Sequence, residues 1–230
     1  MRGAALAAII DRRRNRHALA GPFGDTNYWA GPLNQGPVGP NQTIAFAGVF
    51  ASSNAGAEVM LTRITAGATI GWQLYVTGAS NVMRFFVAPS AVQFSFPAIG
   101  NGVPFVIAIG HDGTNLRGCM NAGVVNTIAA GTYTAADSTT QLIAGRNTTA
   151  GAPFIRGSLA GWKAWNRCIT DAELQAVSAT ASSYAIGTTG DELEDFNVAR
   201  DARPGAGTST TQGSSPLVLT LNGSIAITPV

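Results

Sequence analysis

From Gln42 onward, apolar and polar residues alternate in short runs. T-I-A-F-A-G-V-F (43–50), E-V-M-L-T-R-I (58–64), G-W-Q-L-Y-V (71–76), M-R-F-F-V (83–87) and V-Q-F-S-F (92–96) follow one another, each bounded by Gly, Asn, Ser or Pro. A period of two sends successive side chains to opposite faces, so each run predicts a half-buried strand. The pattern continues through P-F-V-I-A-I-G (104–110), L-R-G-C-M (116–120), Q-L-I-A-G (141–145) and L-A-G-W-K-A-W (159–165). Asn101-Gly102 and Asp112-Gly113 are pairs that suit hairpin turns. Two more strands, 217–221 and 224–228, flank Asn222-Gly223 and close the chain. Many short strands with turn signals between them predict an all-β, two-sheet antiparallel sandwich of jelly-roll type.

Helical periodicity is scarce. Thr170-Asp171-Ala172-Glu173 forms a capping box, with Leu174 and Val177 following on one face. This predicts one short helix, placed across the edge or mouth of the sandwich. Residues 4–20 read as a second helix, with arginines near its C-terminal end where they suit the macrodipole. Gly21-Pro22 ends it, and the Gly and Pro residues through Pro40 predict a linker without regular structure. The organisation expected is a basic helical arm over 1–20, a Gly/Pro-rich linker over 21–40 and a β-sandwich over 41–230, its closing strands within 185–230.

Composition narrows the function classes. Charged residues are 11% of the 230 and hydrophobic residues 46%, against roughly 25% charged in an average soluble protein. Low charge at ordinary hydrophobicity argues against disorder. No run nears the ~18 apolar residues of a membrane span, so no membrane insertion is expected. A net charge of +2 is too small to imply a specific nucleic-acid partner. The charge is uneven: residues 1–20 carry +4, through Arg2, Arg12, Arg13, Arg14 and Arg16 against Asp11, and residues 191–203 carry −3. In a secretory signal the basic region precedes the apolar run; here Ala4–Ile10 comes first, so no such signal is expected.

Three pieces, in order, resemble the laminin-G-like, concanavalin-A-like jelly rolls. F-V-I-A-I-G-H-D-G-T-N-L-R-G-C-M-N-A-G-V (105–124) resembles the family's strand, Asp-Gly-Thr turn and strand, ending in a hairpin. Q-L-I-A-G-R-N (141–147) resembles its strand ending in glycine before a variable loop. F-I-R-G-S-L-A-G-W-K-A-W-N-R-C-I-T-D-A-E-L-Q-A-V (154–177) resembles its last core strand and short capped helix. Two departures stand out: Ala122 beside the hairpin Gly123, expected as an inserted residue or bulge, and Gly118-Cys119 where the family places bulkier residues.

The resemblance implies chemistry to look for. Glucan hydrolases of this superfamily carry two carboxylates on one strand. Here the acidic cluster is Asp191-Glu192-Leu193-Glu194-Asp195, with Glu192 and Glu194 on one face if extended. Its surroundings do not match that motif, so a solvated acidic turn is expected. His17 and His111 are the only imidazoles, one in the arm and one at a turn. No nucleophile motif, P-loop or dinucleotide fingerprint occurs, and a non-enzymatic protein needing no cofactor is expected. Calcium is the one cofactor that the resemblance implies, and Asp112, Asp137 and Asn147 are weak candidate ligands, with turn capping as the plainer role. Tyr28, Trp29 and Tyr133 are candidate stacking platforms for a glycan, whereas Trp72, Trp162 and Trp165 lie on strands and read as core. Cys119 and Cys168 admit one long-range disulfide or two separate buried thiols.

The arm admits contact with nucleic acid, an acidic membrane surface or a groove on a protein partner. The last is preferred, because a basic arm on a Gly/Pro linker tethers a compact module to a larger structure. The leading expectation is a virion surface module of a tailed bacteriophage, a capsid decoration or tail or head-fibre component. It would form a homo-oligomer that docks to capsid or tail proteins and adheres to cell-surface glycan. The alternative is a bacterial, extracellular carbohydrate-binding lectin domain; a glycan hydrolase ranks third.

Overall fold

The computed structural model describes residues 18–24, 26–33, 39–51, 57–77, 80–136, 139–147, 155–198, 208–210 and 218–230. Two antiparallel sheets of eight strands pack face to face. The strands, in chain order, are β1 (Ala18–Gly21), β2 (Tyr28–Leu33), β3 (Gln42–Phe50), β4 (Glu58–Ile64), β5 (Gly71–Thr77), β6 (Val82–Val87), β7 (Val92–Ala98) and β8 (Pro104–His111). They continue with β9 (Asn115–Met120), β10 (Asn126–Ala129), β11 (Gln141–Ala144), β12 (Gly157–Trp165), β13 (Glu194–Asn197), β14 (Thr208–Thr210), β15 (Val218–Asn222) and β16 (Ala226–Pro229). The first sheet runs β10-β9-β8-β3-β12-β1-β16, with β13 beside the far half of β12. The second runs β14-β15-β2-β11-β4-β5-β6-β7.

The alternation seen in sequence is the packing. In β5, Trp72, Leu74 and Val76 are buried while Gln73, Tyr75 and Thr77 reach solvent; β6 repeats this with Met83, Phe85 and Val87 inside. On the inner faces Trp72 stacks on Phe85 at 5.7 Å within the second sheet and Phe50 on Phe105 at 5.1 Å within the first, and Trp29 meets Phe196 edge-on across the sheets at 5.4 Å. Gly118 belongs to this core. A Cβ there would sit 2.8 Å from Ile109 Cδ1, 2.9 Å from the Ala108 carbonyl and 3.2 Å from Phe94 Cε1, so the core leaves no room for a side chain at this position.

Strands β3, β8 and β12 are buried on both faces. The reason is the single α-helix among the described residues, α1 (Asp171–Ser178), which lies on the outer face of the first sheet, not at its edge or mouth. Leu174, Val177, Ile169 and Trp165 pack there on Ala45, Ala108 and Cys119. The small residues on β3 and β8 let the helix approach. Its capping box is formed: the Thr170 hydroxyl accepts from Glu173 N–H, and the Glu173 carboxylate accepts from Thr170 N–H at 2.7 Å.

The arm and linker expectations change where they can be seen. Residues 18–20 are not helix: Ala18–Gly21 forms β1, buried between β12 and β16. Residues 1–17 lie outside the described residues. The 21–40 stretch is not all linker either, since β2 is paired on both sides, to β11 and β15. Gly31 and Pro32 are tolerated because the β2–β11 register shifts between Gln141 and Ile143, opposite them. Gln141 Nε2 donates to the Gly31 carbonyl across that irregularity at 2.5 Å.

At Ala122 the register does change by one residue: the turn closes Gly123 on Met120, whereas the ladder beyond pairs Asn126 with Gly118. Asn121 and Ala122 both take positive φ, 51° and 58°, in a tight turn closed by Gly123 N–H to Met120 O at 2.9 Å. The two closing strands do not pair with each other. Gly223, at φ 73°, lets the chain cross between sheets, so β15 joins β2 in one and β16 joins β1 in the other.

Candidate functional site

The covering helix makes the two outer faces unequal. On the second sheet the residues that alternate with the core point outward and reach solvent: Gln73 and Tyr75 from β5, Arg84 and Phe86 from β6, Gln93 and Ser95 from β7. Register sets them in rows, with Gln73 opposite Phe86 and Phe86 opposite Gln93, and Tyr75 opposite Arg84 and Arg84 opposite Ser95. Above them lies an open cleft of about 270 Å³, lined by Gln73, Tyr75, Phe86, Gln93 and Asn147. The β4–β5 turn forms a wall through Thr65, Ala66 and Ala68. That turn is held by the Thr65 and Thr69 hydroxyls at 3.0 Å and by Ala68 N–H to Thr65 O at 2.9 Å. At the cleft's margin Arg84 Nη1 donates to Gln93 Oε1 at 2.7 Å.

Two aromatic rings flanked by three amides form an amphipathic floor. A ring face takes the C–H side of a sugar, and a primary amide both donates to and accepts from hydroxyls.

The residues singled out from sequence fall elsewhere, Asn147 excepted. Trp29 is 4% exposed and packs on Phe23 and Phe196 in the core. A strand of the second sheet carries it inward, so it offers no platform. Tyr28 is on the outer side of the same strand, but the Arg146 guanidinium covers its ring at 3.7 Å. Tyr133 packs against the core with its ring 5.2 Å from His111, and burial raises its phenol pKa. Trp72, Trp162 and Trp165 are fully buried.

Asp112 caps its own turn, accepting from Asn115 N–H at 2.7 Å and Thr114 N–H at 2.9 Å. Partial burial pushes its carboxyl up, and those bonds outweigh it, leaving the pKa lowered. Asp137 lies outside the described residues. Asp112 follows a strand of the first sheet and Asn147 a strand of the second. Among the described residues no three His, Cys, Asp or Glu side chains gather as a metal site would require.

The acidic segment is not a solvated turn. Lys163 Nζ lies 3.9 Å from Glu192 and 3.8 Å from Asp195, and Asp191 pairs with Arg167. Glu194 is buried in β13, opposite Ala164. Burial pushes the Glu192 carboxyl up, but bonds from Thr188 and Thr189 and the nearby Lys163 charge hold it below the usual value. A general acid needs the opposite shift. His111 is 4% exposed, with Nδ1 accepting from Gly113 N–H at 2.9 Å. Burial lowers its pKa. His17 and the arm arginines Arg2, Arg12, Arg13, Arg14 and Arg16 lie outside the described residues.

Both cysteines are free thiols, so the disulfide is not formed. Cys119 stands opposite Ala108 and touches the Ser178 hydroxyl at 3.4 Å, under α1. Cys168 packs instead over Gly110, where a Cβ would lie 2.7 Å from its sulfur.

Gln73, Tyr75, Arg84, Phe86 and Gln93 were not singled out from sequence. The signal was present in G-W-Q-L-Y-V and M-R-F-F-V: once Trp72 and Leu74 are core, Gln73 and Tyr75 must share the other face.

Comparison with known proteins places the fold. No protein-family model and no curated protein matches the sequence. Solved structures do match. A proposed carbohydrate-binding protein from Bacteroides ovatus ATCC 8483 superposes with a TM-score of 0.67 at 12% identity, over 94% of this chain and 60% of that one. The heptameric SAP-like pentraxin from Limulus polyphemus gives 0.61 at 11% identity, over 94% and 96%. Domains LG4-5 of the mouse laminin alpha1 chain give 0.52 at 11% identity, over 67% and 43%. The chain has the lectin-like jelly-roll fold of these proteins, the fold its sequence motifs resemble.

Proposed function

We propose that the protein is a non-catalytic carbohydrate-binding module whose ligand lies in the cleft on the outer face of the second sheet. One observation carries the reading. The two sheets are built alike, yet α1 covers the outer face of one, while the other keeps Tyr75 and Phe86 open between Gln73, Gln93 and Asn147. Aromatic faces beside fixed amides are what a sugar ring and its hydroxyls need. Among the described residues no carboxylate lines the cleft. The similar Bacteroides ovatus protein, itself described as carbohydrate-binding, supports the reading through its fold. Nothing among the described residues favours placement on a bacteriophage virion, and the arm invoked for it lies outside them but for residues 18–20.

A glycan array followed by calorimetry on the best ligand tests this. Tyr75→Ala is expected to weaken binding about ten-fold, the loss of one stacking ring of about 1–1.5 kcal/mol, with the melting temperature little changed. Absence of any saccharide binding, or full affinity in Tyr75→Ala, would overturn it.

A further inference from the structure

Resting on that reading, we infer that the cleft selects a sugar bearing a carboxylate, a uronic acid or another sugar acid, and that Arg84 is the residue that recognises it. Strands β4 to β7 contain one carboxylate, Glu58, and it is buried, accepting the Arg156 N–H at 2.8 Å. The floor of the cleft therefore carries no negative charge from these strands. A positive charge stands at its margin, where Arg84 reaches the cleft residue Gln93. Arg84 stands between Tyr75 and Ser95 on the outward row and makes no ion pair among the described residues.

Its guanidinium is nevertheless held in place. Nη1 donates to Gln93 Oε1 at 2.7 Å, which ties the cation to a cleft residue, and Nε is buried without an acceptor among the described residues. A fixed guanidinium lacking a counter-ion is half of a pair whose other half is a planar carboxylate. The ligand is the group that can supply it. Only one arginine stands on the β5–β7 floor, which matches a single carboxylate. A polysulfated chain would call for a cluster of cations along its length. Tyr75, directly opposite Arg84, then stacks on the sugar ring that bears the acid, and Gln73 and Asn147 lie where its hydroxyls would be read.

The experiment is calorimetric titration of the full chain with oligogalacturonate, its methyl ester and the matched neutral galacto-oligosaccharide, with a galactose 6-sulfate oligosaccharide as a fourth arm. The acid is expected to bind at least about ten-fold tighter than its ester, the worth of a hydrogen bond to a charged group. Arg84→Gln is expected to abolish that preference, so that acid and ester bind alike. Equal binding of acid and ester, or tighter binding of the sulfated arm, overturns the inference while leaving the carbohydrate-binding reading intact. So does a preference for the acid that survives in Arg84→Gln. Failure of every saccharide overturns both. The acid-against-ester comparison uses the unaltered protein and holds whether or not the variant folds.

Discussion

The Arg167 guanidinium grips the Glu173 carboxylate with two bonds, Nη2 to Oε1 at 2.7 Å and Nη1 to Oε2 at 2.9 Å. Its Nε also donates to Asp191 Oδ2 at 2.6 Å. The corner is anchored below as well, since Thr43 Oγ1 donates to the Arg167 carbonyl at 2.9 Å and accepts from Ile169 N–H at 3.0 Å. One side chain thus ties the end of β12 to the first turn of α1 and to the acidic segment. The capping box noticed in sequence is part of this one device.

Arg167→Ala is expected to lower stability by about 1 kcal/mol, because the network is forked but partly exposed. Arg167→Lys is expected to restore little, as a lysine cannot hold both carboxylates through a planar fork. Urea denaturation of the two variants measures this. Equal stability of wild type and Arg167→Ala would count against the clamp.

Acid should weaken the fold in two windows. Burial lowers the His111 pKa below 6.5. The unfolded chain then takes up the proton first, so this contribution is complete above about pH 6.5 and is lost as pH falls through the folded value. Bonds from Arg167, and then from Thr170, bring the Glu173 carboxyl from 4.5 down to about 2. Its contribution is present above about pH 4.5 and is lost as pH falls through about 2. Denaturant midpoints between pH 8 and 3 should show both declines. His111→Asn, which keeps an acceptor for Gly113 N–H, should remove only the first.

Two aromatic residues separate structural from binding roles. Trp29→Ala is expected to cost about 3–5 kcal/mol, the usual loss for a buried indole. Tyr75→Ala, on the outer face, is expected to stay within about 1 kcal/mol of wild type and bind its ligand about ten-fold more weakly. Chemical denaturation paired with ligand titration distinguishes them. Full ligand binding by Tyr75→Ala alongside a large stability loss would reverse the assignment.

The thiols should titrate as two. In denatured, unreduced protein a disulfide-exchange reagent is expected to find both Cys119 and Cys168, since both are free. In the native protein both should react slowly, because burial raises each thiol's pKa and lowers its thiolate fraction. Finding no reactive thiol after denaturation would show that the bond forms after all.

Much of the fold was legible because strand alternation and helix capping are local. The runs at 43–50, 58–64, 71–76, 83–87 and 92–96 appear as β3 to β7, and Thr170 caps α1. Among the strands missed, β1 and β2 are ones whose pairing overrides their composition. Strand β2, Y-W-A-G-P-L, contains a glycine and a proline that read as breakers. It persists because β11 and β15 flank it and its irregularity falls at the proline. Strand β1 reads as the end of an Ala-rich helix until β12 and β16 capture it. For the site, candidates were sought in loops, whereas the cleft floor lies on strands.

What the chain determines by itself is which residues must lie on opposite sides of each strand, because that follows from the two-residue period of extended backbone. Alternation separates Gln73 and Tyr75 from Trp72 and Leu74 with no further information. It does not say what covers each face. That was decided by tertiary structure, when the segment after β12 folded back over Ala45 and Ala108 and packed Trp165, Ile169, Leu174 and Val177 there. The small residues of β3 and β8 leave room for a helix. Among the described residues no such layer forms over Tyr75, Arg84 and Phe86, which keep a side toward solvent.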